Sequence, residues 1–178
     1  MRQLPPSQEQ EWLEALFDLH ARAVRGYAIR RVGPDSADDV VSQVFAIAWR
    51  RRRDVGEPAL PWLLRTARNV VAHEHRASAR RLNLRDAIAS TVSGSPSPAA
   101  EDSSQALAES MLAQLSPKDA EILRLAAWEQ LTPAEIAVVL DLSDSAVRTR
   151  LMRARQRAQR LLTEDSPAPR LSALPATD

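Results

Sequence analysis

The chain has 178 residues, of which 44% are hydrophobic and 26% are charged, and its formal net charge is +1. It contains no cysteine, which excludes disulfide bonds, zinc–thiolate sites and a cysteine nucleophile. No apolar run reaches the ~18 residues that a membrane-spanning helix needs, and no signal peptide is visible, so we expect a cytoplasmic protein without membrane insertion. With 4 glycines and no alternating apolar pattern, the composition predicts an all-α fold.

The near-neutral total charge conceals two basic blocks. Residues 20–85 contain 14 arginines against 6 acidic residues, and residues 144–162 contain 6 arginines against one aspartate. Two basic blocks separated by a non-basic stretch favour a protein that contacts one polyanion at two places. The alternative is that each block is a solvated helix face.

Residues 8–89 are interpreted as a first domain of three helices. The first helix is predicted over about 8–32, and its apolar side is marked by Trp12, Leu16, Leu19, Ala23, Tyr27 and Ile29. Gly33 and Pro34 follow directly, and this pair is typical of a helix end.

The second and third helices of this domain follow after that break. The second is predicted over about 36–53, because Ser36 and Asp39 have the spacing of a capping box. A loop at 54–60 then leads to a third helix, which begins at Pro61, a residue favoured in the first turn of a helix.

Residues 90–105 differ in character from the chain on either side. Their sequence, STVSGSPSPAAEDSSQ, cannot bury enough apolar surface to order itself, so we interpret it as a flexible linker. A flexible chain of this length has a root-mean-square span of about 22 Å and an extended reach of about 55 Å.

A second helical domain is predicted over 106–162. Ser116 and Asp119 have capping-box spacing and are expected to open one of its helices. Residues 163–178 contain three prolines and no periodic pattern, which predicts a disordered tail.

Residues 131–155 have the pattern of a helix-turn-helix. Thr132 and Glu135 form a capping box at the start of its first helix. Asp141 stands where the turn is sharp, and aspartate tolerates a left-handed backbone better than most residues. Ser143 is expected to cap the second helix.

The second helix of this motif has one apolar and one basic side. Its inward side is predicted to consist of Val147, Leu151, Ala154 and Ala158. Its outward side is predicted to present Arg148, Thr149, Met152, Arg153 and Gln156. A short helix with polar and basic residues near its N-terminus fits the major groove of DNA. Ser145 lies where backbone N–H groups bind phosphate, and Arg155 is placed to meet a phosphate or solvent.

Three segments also match patterns of a known family. The segment 38–49, DDVVSQVFAIAW, has an acidic start and an apolar helix that ends in Ala-Trp, and the segment 62–69 reads WLLRTARN. Together with the helix-turn-helix at 131–155, these segments resemble regions 2 and 4 of the extracytoplasmic-function (ECF) group of sigma-70 family factors. The resemblance covers about 15–80 and 107–162.

This resemblance implies a dissociable subunit that binds bacterial core RNA polymerase and directs promoter-specific initiation, built from a region 2-like bundle and a region 4-like helix-turn-helix. Carried over by motif position, the residues that bind the duplex −35 element are Ser145, Arg148, Thr149, Met152, Arg153 and Arg155. Those that hold the melted −10 strand are Trp62, Arg65, Arg68, Asn69, Arg76 and Arg80. Those that dock on the polymerase are Asp39, Gln43, Arg50 and Arg51.

Two further expectations come from the same resemblance. The partners include promoter DNA and an anti-sigma factor, with no cofactor and no small-molecule substrate. Trp62 either packs in the core, which the family pattern favours, or stacks on an unpaired base.

Catalysis and metal binding are not expected. His73 and His75 are two residues apart and therefore lie on different sides of a helix, and no carboxylate cluster completes a metal site. We find no nucleophile–base arrangement and no glycine-rich phosphate loop, which argues against an enzyme. The remaining alternative is a stand-alone helix-turn-helix regulator, although no long heptad pattern for a dimer seam is present.

Overall fold

A computed structural model of the protein describes residues 6–86 and 103–164, and the side chains of residues 8–76 and 108–163. The described backbone contains no strand and is built from the helices α1 (Pro6–Val32), α2 (Pro34–Arg50), α3 (Ala59–Asp86), α4 (Ser103–Ala113), α5 (Pro117–Ala127), α6 (Pro133–Leu140) and α7 (Asp144–Glu164). The prediction of an all-α fold is confirmed for this part of the chain. Most of the predicted linker and tail lies outside the described residues.

The helices α1, α2 and α3 pack against one another and form the first half of the molecule. The side chains that they bury completely include Val24, Tyr27, Val44, Leu63 and Leu64. Helix α1 is continuous over its 27 residues, and its buried and partly buried apolar positions recur at helical spacing from Trp12 to Val32.

One predicted core position on α1 is wrong. Leu19 is 75% exposed, whereas Leu16 on the same helix is 7% exposed. The buried stripe passes through Leu16, Val24, Tyr27 and Ala28, and Leu19 lies roughly a third of a turn from its centre. Leu19 therefore faces solvent although it is apolar.

The predicted capping box at the start of the second helix is also wrong. Helix α2 begins at Pro34, directly after Gly33, and has no side-chain cap. Gly33 has a φ of 79°, a conformation that glycine adopts without strain, and Pro34 has the fixed φ of a first helical turn. The cap position is therefore Gly33, three residues before Ser36. Helix α3 likewise begins at Ala59 rather than at Pro61.

The helices α4 to α7 form the second half of the molecule, and their local signals are those the sequence predicts. The capping box between Thr132 and Glu135 is present in both directions. Asp141 adopts the left-handed conformation, with φ 57° and ψ 50°. The Ser143 hydroxyl accepts a hydrogen bond from the Ala146 N–H at 3.2 Å, so Ser143 caps α7. Helix α4 begins at Ser103, within the range assigned to the linker.

The two halves pack against each other, which the sequence did not predict. Helix α6 lies against α3, and the buried residues of both halves form one continuous apolar cluster among the described residues. From the first half this cluster includes Leu64 and Ala67, and from the second half it includes Ile136 and Val139. Such a contact needs pairing between distant residues, for which a single sequence carries no local signal.

The contrast between the buried Leu16 and the exposed Leu19 allows the orientation of α1 to be tested. The substitution Leu16→Ala is expected to lower the free energy of unfolding by about 2–4 kcal/mol, because it removes buried methyl groups and leaves a cavity. The matched substitution Leu19→Ala is expected to change it by less than about 0.5 kcal/mol. Urea denaturation followed by circular dichroism measures both, and equal losses would place Leu19 in the core.

Candidate nucleic-acid interface

Helix α7 separates its apolar and polar residues onto opposite faces. Val147, Leu151, Ala154 and Ala158 are all buried, as predicted. All six residues assigned to the −35 element are exposed on this helix, namely Ser145, Arg148, Thr149, Met152, Arg153 and Arg155. Met152 is 52% exposed on the same helix.

The first turn of α7 contains a serine cap and one ion pair. Ser143 caps the helix, and its hydroxyl lies 3.2 Å from that of Ser145. The Arg148 guanidinium donates to the Asp144 carboxylate at 2.7 Å, one turn earlier. This ion pair is exposed and therefore adds little stability, but it holds Arg148 near the helix start. A helix N-terminus of this kind favours an anionic neighbour.

A cleft of about 540 Å³ runs between the start of α5 and the outer face of α7. Its walls include Ser145, Thr149 and Arg153, three of the residues assigned to DNA. Its other lining residues are Ser116, Lys118, Asp119, Ala146, Arg150 and Arg157. Four cations therefore surround one carboxylate, and the cleft is suited to a polyanion such as a nucleic-acid backbone.

Two basic residues of this cleft, Lys118 and Arg150, are not among the DNA-binding residues predicted from the sequence. Lys118 stands in the first turn of α5, where a positive charge opposes the helix dipole. Arg150 lies at the border of the buried face of α7, and only its position against the start of α5 shows its role in the cleft.

Asp119 is a charged residue that the fold buries, at 6% exposure. Its carboxylate accepts hydrogen bonds from the Ser116 hydroxyl and from the Arg157 guanidinium, both at 2.8 Å. Burial opposes ionisation, but these two donors outweigh it, so the pKa of Asp119 lies below its ordinary value. Ser116 caps α5 as predicted, but the Asp119 side chain bonds to Arg157 and to the Ser116 hydroxyl, not to the Ser116 backbone.

The residues assigned to the −10 strand share one face of α3. Arg68, Asn69 and Arg76 are exposed, while Trp62 is half-buried and packs against the core. The Arg65 guanidinium lies 3.0 Å from the Asp141 carboxylate in the turn of the helix-turn-helix. The side chain of Arg80 lies outside the described residues.

The residues assigned to polymerase docking lie on α2 and its end. Asp39, Gln43 and Arg50 are exposed and fall on one face of the helix. Arg51 points away from that face and pairs with Asp54 at 2.8 Å. A smaller cleft of about 260 Å³ includes Asp39 and Gln43 on α2 together with Glu74 and His75 on α3, and Arg31, Val32, Ser36 and Val40 complete its lining.

Neither a metal cluster nor a membrane span is found in the described part of the chain. No group of three or more His, Cys, Asp or Glu side chains there is arranged to hold a metal ion. No helix in the same residues is long and apolar enough to cross a bilayer.

The ion pair of Asp119 gives a prediction about pH. The substitution Asp119→Asn is expected to lower the free energy of unfolding by about 1–2 kcal/mol at pH 7, because it weakens charge-assisted hydrogen bonds of a buried group. The pKa of Asp119 is depressed, so its stabilisation is complete above the unfolded value of about 3.9 and is lost as the pH falls through the lower folded pKa.

Chemical denaturation of both proteins between pH 7 and pH 3 measures this difference, which should shrink at the acidic end. Asp38→Asn is the matched control, since Asp38 pairs with Arg25 at 2.7 Å but is 72% exposed. A constant difference across this pH range would contradict the assignment of the charge to Asp119.

Comparison with known proteins identifies the family. Residues 16–81 match the family described as sigma-70 region 2, and residues 105–157 match sigma-70, region 4. The chain is 32% identical over 149 residues to the ECF RNA polymerase sigma factor SigL of Mycobacterium tuberculosis, an alignment that covers 78% of this chain and 82% of SigL. It is 31% identical over 163 residues to the ECF RNA polymerase sigma factor BldN of Streptomyces coelicolor, covering 85% of this chain and 60% of BldN.

Solved structures share the fold. The sigma factor RpoE from Bartonella quintana, solved in complex with the anti-sigma factor NepR, aligns with a TM-score of 0.63 at 23% identity, over 86% of this chain and 98% of RpoE. CnrH, solved in complex with the cytosolic domain of CnrY, aligns with a TM-score of 0.59 at 28% identity, over 90% of this chain and 96% of CnrH. Together with the relatives in sequence, these similarities show that the chain is an RNA polymerase sigma factor of the ECF group within the sigma-70 family.

Proposed function

We propose that this sigma factor binds duplex −35 DNA with α7 and the adjoining cleft, holds the melted −10 strand along α3, and docks on core RNA polymerase through α2. The observation that carries the proposal is the outer face of α7, where all six residues assigned to the −35 element are exposed on one capped helix. Its action would take place where the polymerase and DNA are, in the cytoplasm, and it consists of binding rather than catalysis.

The −35 contact combines base reading with phosphate binding. Arg148, Thr149 and Met152 lie in the first turns of α7, which is the part of a recognition helix that reaches base edges. The cleft beside them has Lys118 and Arg150 at its wall, which suits the phosphates that flank the groove. The residues in the first turns of α7 would thus recognise the base pairs, while the basic residues of the cleft hold the phosphates and fix the position of the helix along the groove.

The −10 contact uses a basic track on α3. Arg65, Arg68 and Arg76 recur along one helix face, with Asn69 between them, so that a single strand can follow the helix axis. Unpaired bases additionally need a stacking face, and the half-buried Trp62 offers at most one edge for this purpose. We therefore assign Trp62 primarily to packing.

Polymerase docking is assigned to the exposed face of α2. Asp39 and Gln43 are one turn apart, and Arg50 continues the same face toward the helix end. The Arg50 guanidinium donates to the Ala46 carbonyl at 3.3 Å, a long and exposed hydrogen bond that an incoming partner can replace.

We also propose an anti-sigma factor as a partner. RpoE and CnrH, which share this fold, were each solved with a bound protein, and NepR in the first complex is an anti-sigma factor. Because this chain has no cysteine, any thiol-based sensing would have to reside in that partner.

Transcription by purified bacterial core RNA polymerase, with and without this protein, tests the proposal. We expect defined start sites on host genomic fragments only when both components are present. A footprint on duplex DNA from the protein alone, with no new start sites, would instead support a stand-alone regulator.

The promoters found in this way allow the roles of individual arginines to be separated. Arg148→Ala is expected to weaken binding to the cognate −35 duplex by about 1–3 kcal/mol and to relax preference at one base pair, as for a side chain that reads a base. Arg155→Ala is expected to weaken binding to every DNA sequence by the same factor. It should also reduce the slope of log K against log salt concentration by about one unit, as expected for the loss of a phosphate contact.

Fluorescence anisotropy with cognate and mutated duplexes at several salt concentrations distinguishes the two. Arg22→Ala is the control, because Arg22 is exposed on α1 and lies outside every surface assigned to DNA. Equal effects of Arg148→Ala on all sequences would show that Arg148 contacts a phosphate.

A further inference from the structure

Asp119 and Arg157 form an ion pair in the wall of the basic cleft between α5 and α7. The Arg157 Nη2 lies 2.8 Å from the Asp119 Oδ2, and the Ser116 hydroxyl donates to the same oxygen at 2.8 Å. All three residues line the cleft, and none of them is among the DNA-binding residues predicted from the sequence. The role of this pair in the cleft is therefore still to be explained.

The two members of the pair differ in exposure. The Asp119 side chain is 8% exposed, whereas the Arg157 side chain is 44% exposed. A guanidinium has five N–H donors, and the contact with Asp119 uses one terminal nitrogen of Arg157. One side of the guanidinium thus rests on a buried carboxylate, while the rest of the side chain is open to the cleft.

Two other ion pairs of the structure are closed on both sides. Arg30 pairs with Glu129 at 2.7 Å, and Arg31 pairs with Glu121 at 3.0 Å. The side chains of Arg30 and Arg31 are 18% and 10% exposed, so little of either guanidinium is left for a ligand. Arg157 is more than twice as exposed as either of them, which distinguishes it from arginines whose role is to fasten one helix to another.

Arg157 also continues a basic stripe on α7. Arg150, Arg153 and Arg157 are three and four residues apart, a spacing that places them on one side of a helix, and all of them line the cleft. The stripe extends over about 10 Å of the helix axis. Arg148 and Met152, which are assigned to the bases, lie on a different side of the same helix. The helix therefore has a second surface, separate from the one that faces the bases.

A carboxylate in a site for a polyanion is unfavourable by its charge. Burial opposes the ionisation of Asp119, but the Arg157 and Ser116 donors outweigh it and hold the pKa of Asp119 below its ordinary value, so the group is charged at neutral pH. Its charge repels a phosphate, and attraction alone gives no reason for its presence. The compensating benefit is order. A free arginine loses rotamer freedom when it binds, whereas an arginine fixed by a buried carboxylate has lost that freedom during folding.

We propose that Arg157 is a further phosphate contact of the cleft and that Asp119 is a positioning residue that holds Arg157 ready for the DNA backbone. This inference rests on the proposed binding of α7 to the −35 element. The Ser116 hydroxyl completes the arrangement, because it holds the same carboxylate oxygen that Arg157 contacts. Supporting side chains of this kind act by fixing the geometry of the residue that touches the ligand.

The contact is tested by fluorescence anisotropy with the full chain and the −35 duplex that the transcription assay identifies. Arg157→Ala should weaken binding about eight-fold at a salt concentration of about 0.1 M. It should also reduce the slope of log K against log salt concentration by about 0.9, as expected for the loss of one phosphate contact. Unchanged affinity and slope would overturn the assignment of Arg157.

The positioning role predicts the opposite sign from charge alone. Asp119→Asn removes a negative charge from a site for a polyanion, so a purely electrostatic effect would tighten DNA binding. Positioning predicts weaker binding at pH 7, by at least about two-fold, which is the lower end of the coupling between side chains in contact. Unchanged or tighter binding by Asp119→Asn would overturn the positioning role.

A double variant separates positioning from a general loss of stability. In the Arg157→Ala background, Asp119→Asn should cause no further weakening of DNA binding, because it acts through Arg157. A structural role would lower the affinity by the same factor in both backgrounds and would contradict the proposal. Glu109→Gln is the matched control, since it breaks the 2.7 Å pair with Arg124 in the same half but outside the cleft, and it should leave DNA binding unchanged.

The order of Arg157 can also be measured without a substitution at Asp119, which decides the matter if Asp119→Asn fails to fold by circular dichroism. The heteronuclear NOE of the Arg157 Nε–H should approach that of the backbone. The NOE of Arg160, which is exposed on α7 and does not line this cleft, should be lower. Arg157→Ala and Arg160→Ala assign the two signals, and equal mobility of the two side chains would overturn the positioning role.

These measurements keep the inference separate from the proposed function. Weaker binding by Arg148→Ala together with unchanged binding by Arg157→Ala would reject the inference alone. A parent protein that neither binds the duplex nor supports transcription would reject the proposed function, and the NOE of Arg157 would still decide whether Asp119 holds its side chain.

Discussion

The amphipathic division of α7 is the constraint on which the rest of the structure depends. Four small or branched apolar residues, Val147, Leu151, Ala154 and Ala158, fix this helix against the second half, and their burial forces the opposite face outward. Two of the four are alanines, so the neighbouring helices approach closely and the start of α5 comes to lie beside the exposed arginines. The basic cleft is thus a product of core packing as much as of charge.

The features that could be predicted well from the sequence are helix caps and turns, whose conformation depends only on residues close together in the chain. The capping box at Thr132, the left-handed Asp141 and the Ser143 cap each depend on interactions over at most four positions, and all three are present. The start of α2 is an exception, because the sequence contains two competing local signals, and the helix begins at Gly33 and Pro34 rather than at the serine–aspartate spacing of Ser36 and Asp39.

The features that could not be predicted depend on distant pairs. Arg31 and Glu121 are 90 positions apart in the chain, and Arg30 and Glu129 are 99 apart. Nothing in the periodicity of either helix distinguishes these charges from an ordinary solvated face, and both arginines were counted only as part of a basic block. The candidate −35 face was predictable because it lies on one helix, whereas the cleft and the contact between halves required the three-dimensional arrangement.

The 16-residue connection between α3 and α4 has a consequence for how strong the contact between halves needs to be. Two modules joined by a short connector meet at an effective local concentration in the mM range. An association so weak that separated halves would hardly detect each other in solution therefore suffices to close the intact chain. The equilibrium between associated and separated halves therefore depends on the length of the connector as well as on the residues of the interface. Either of the two can change this equilibrium independently of the other.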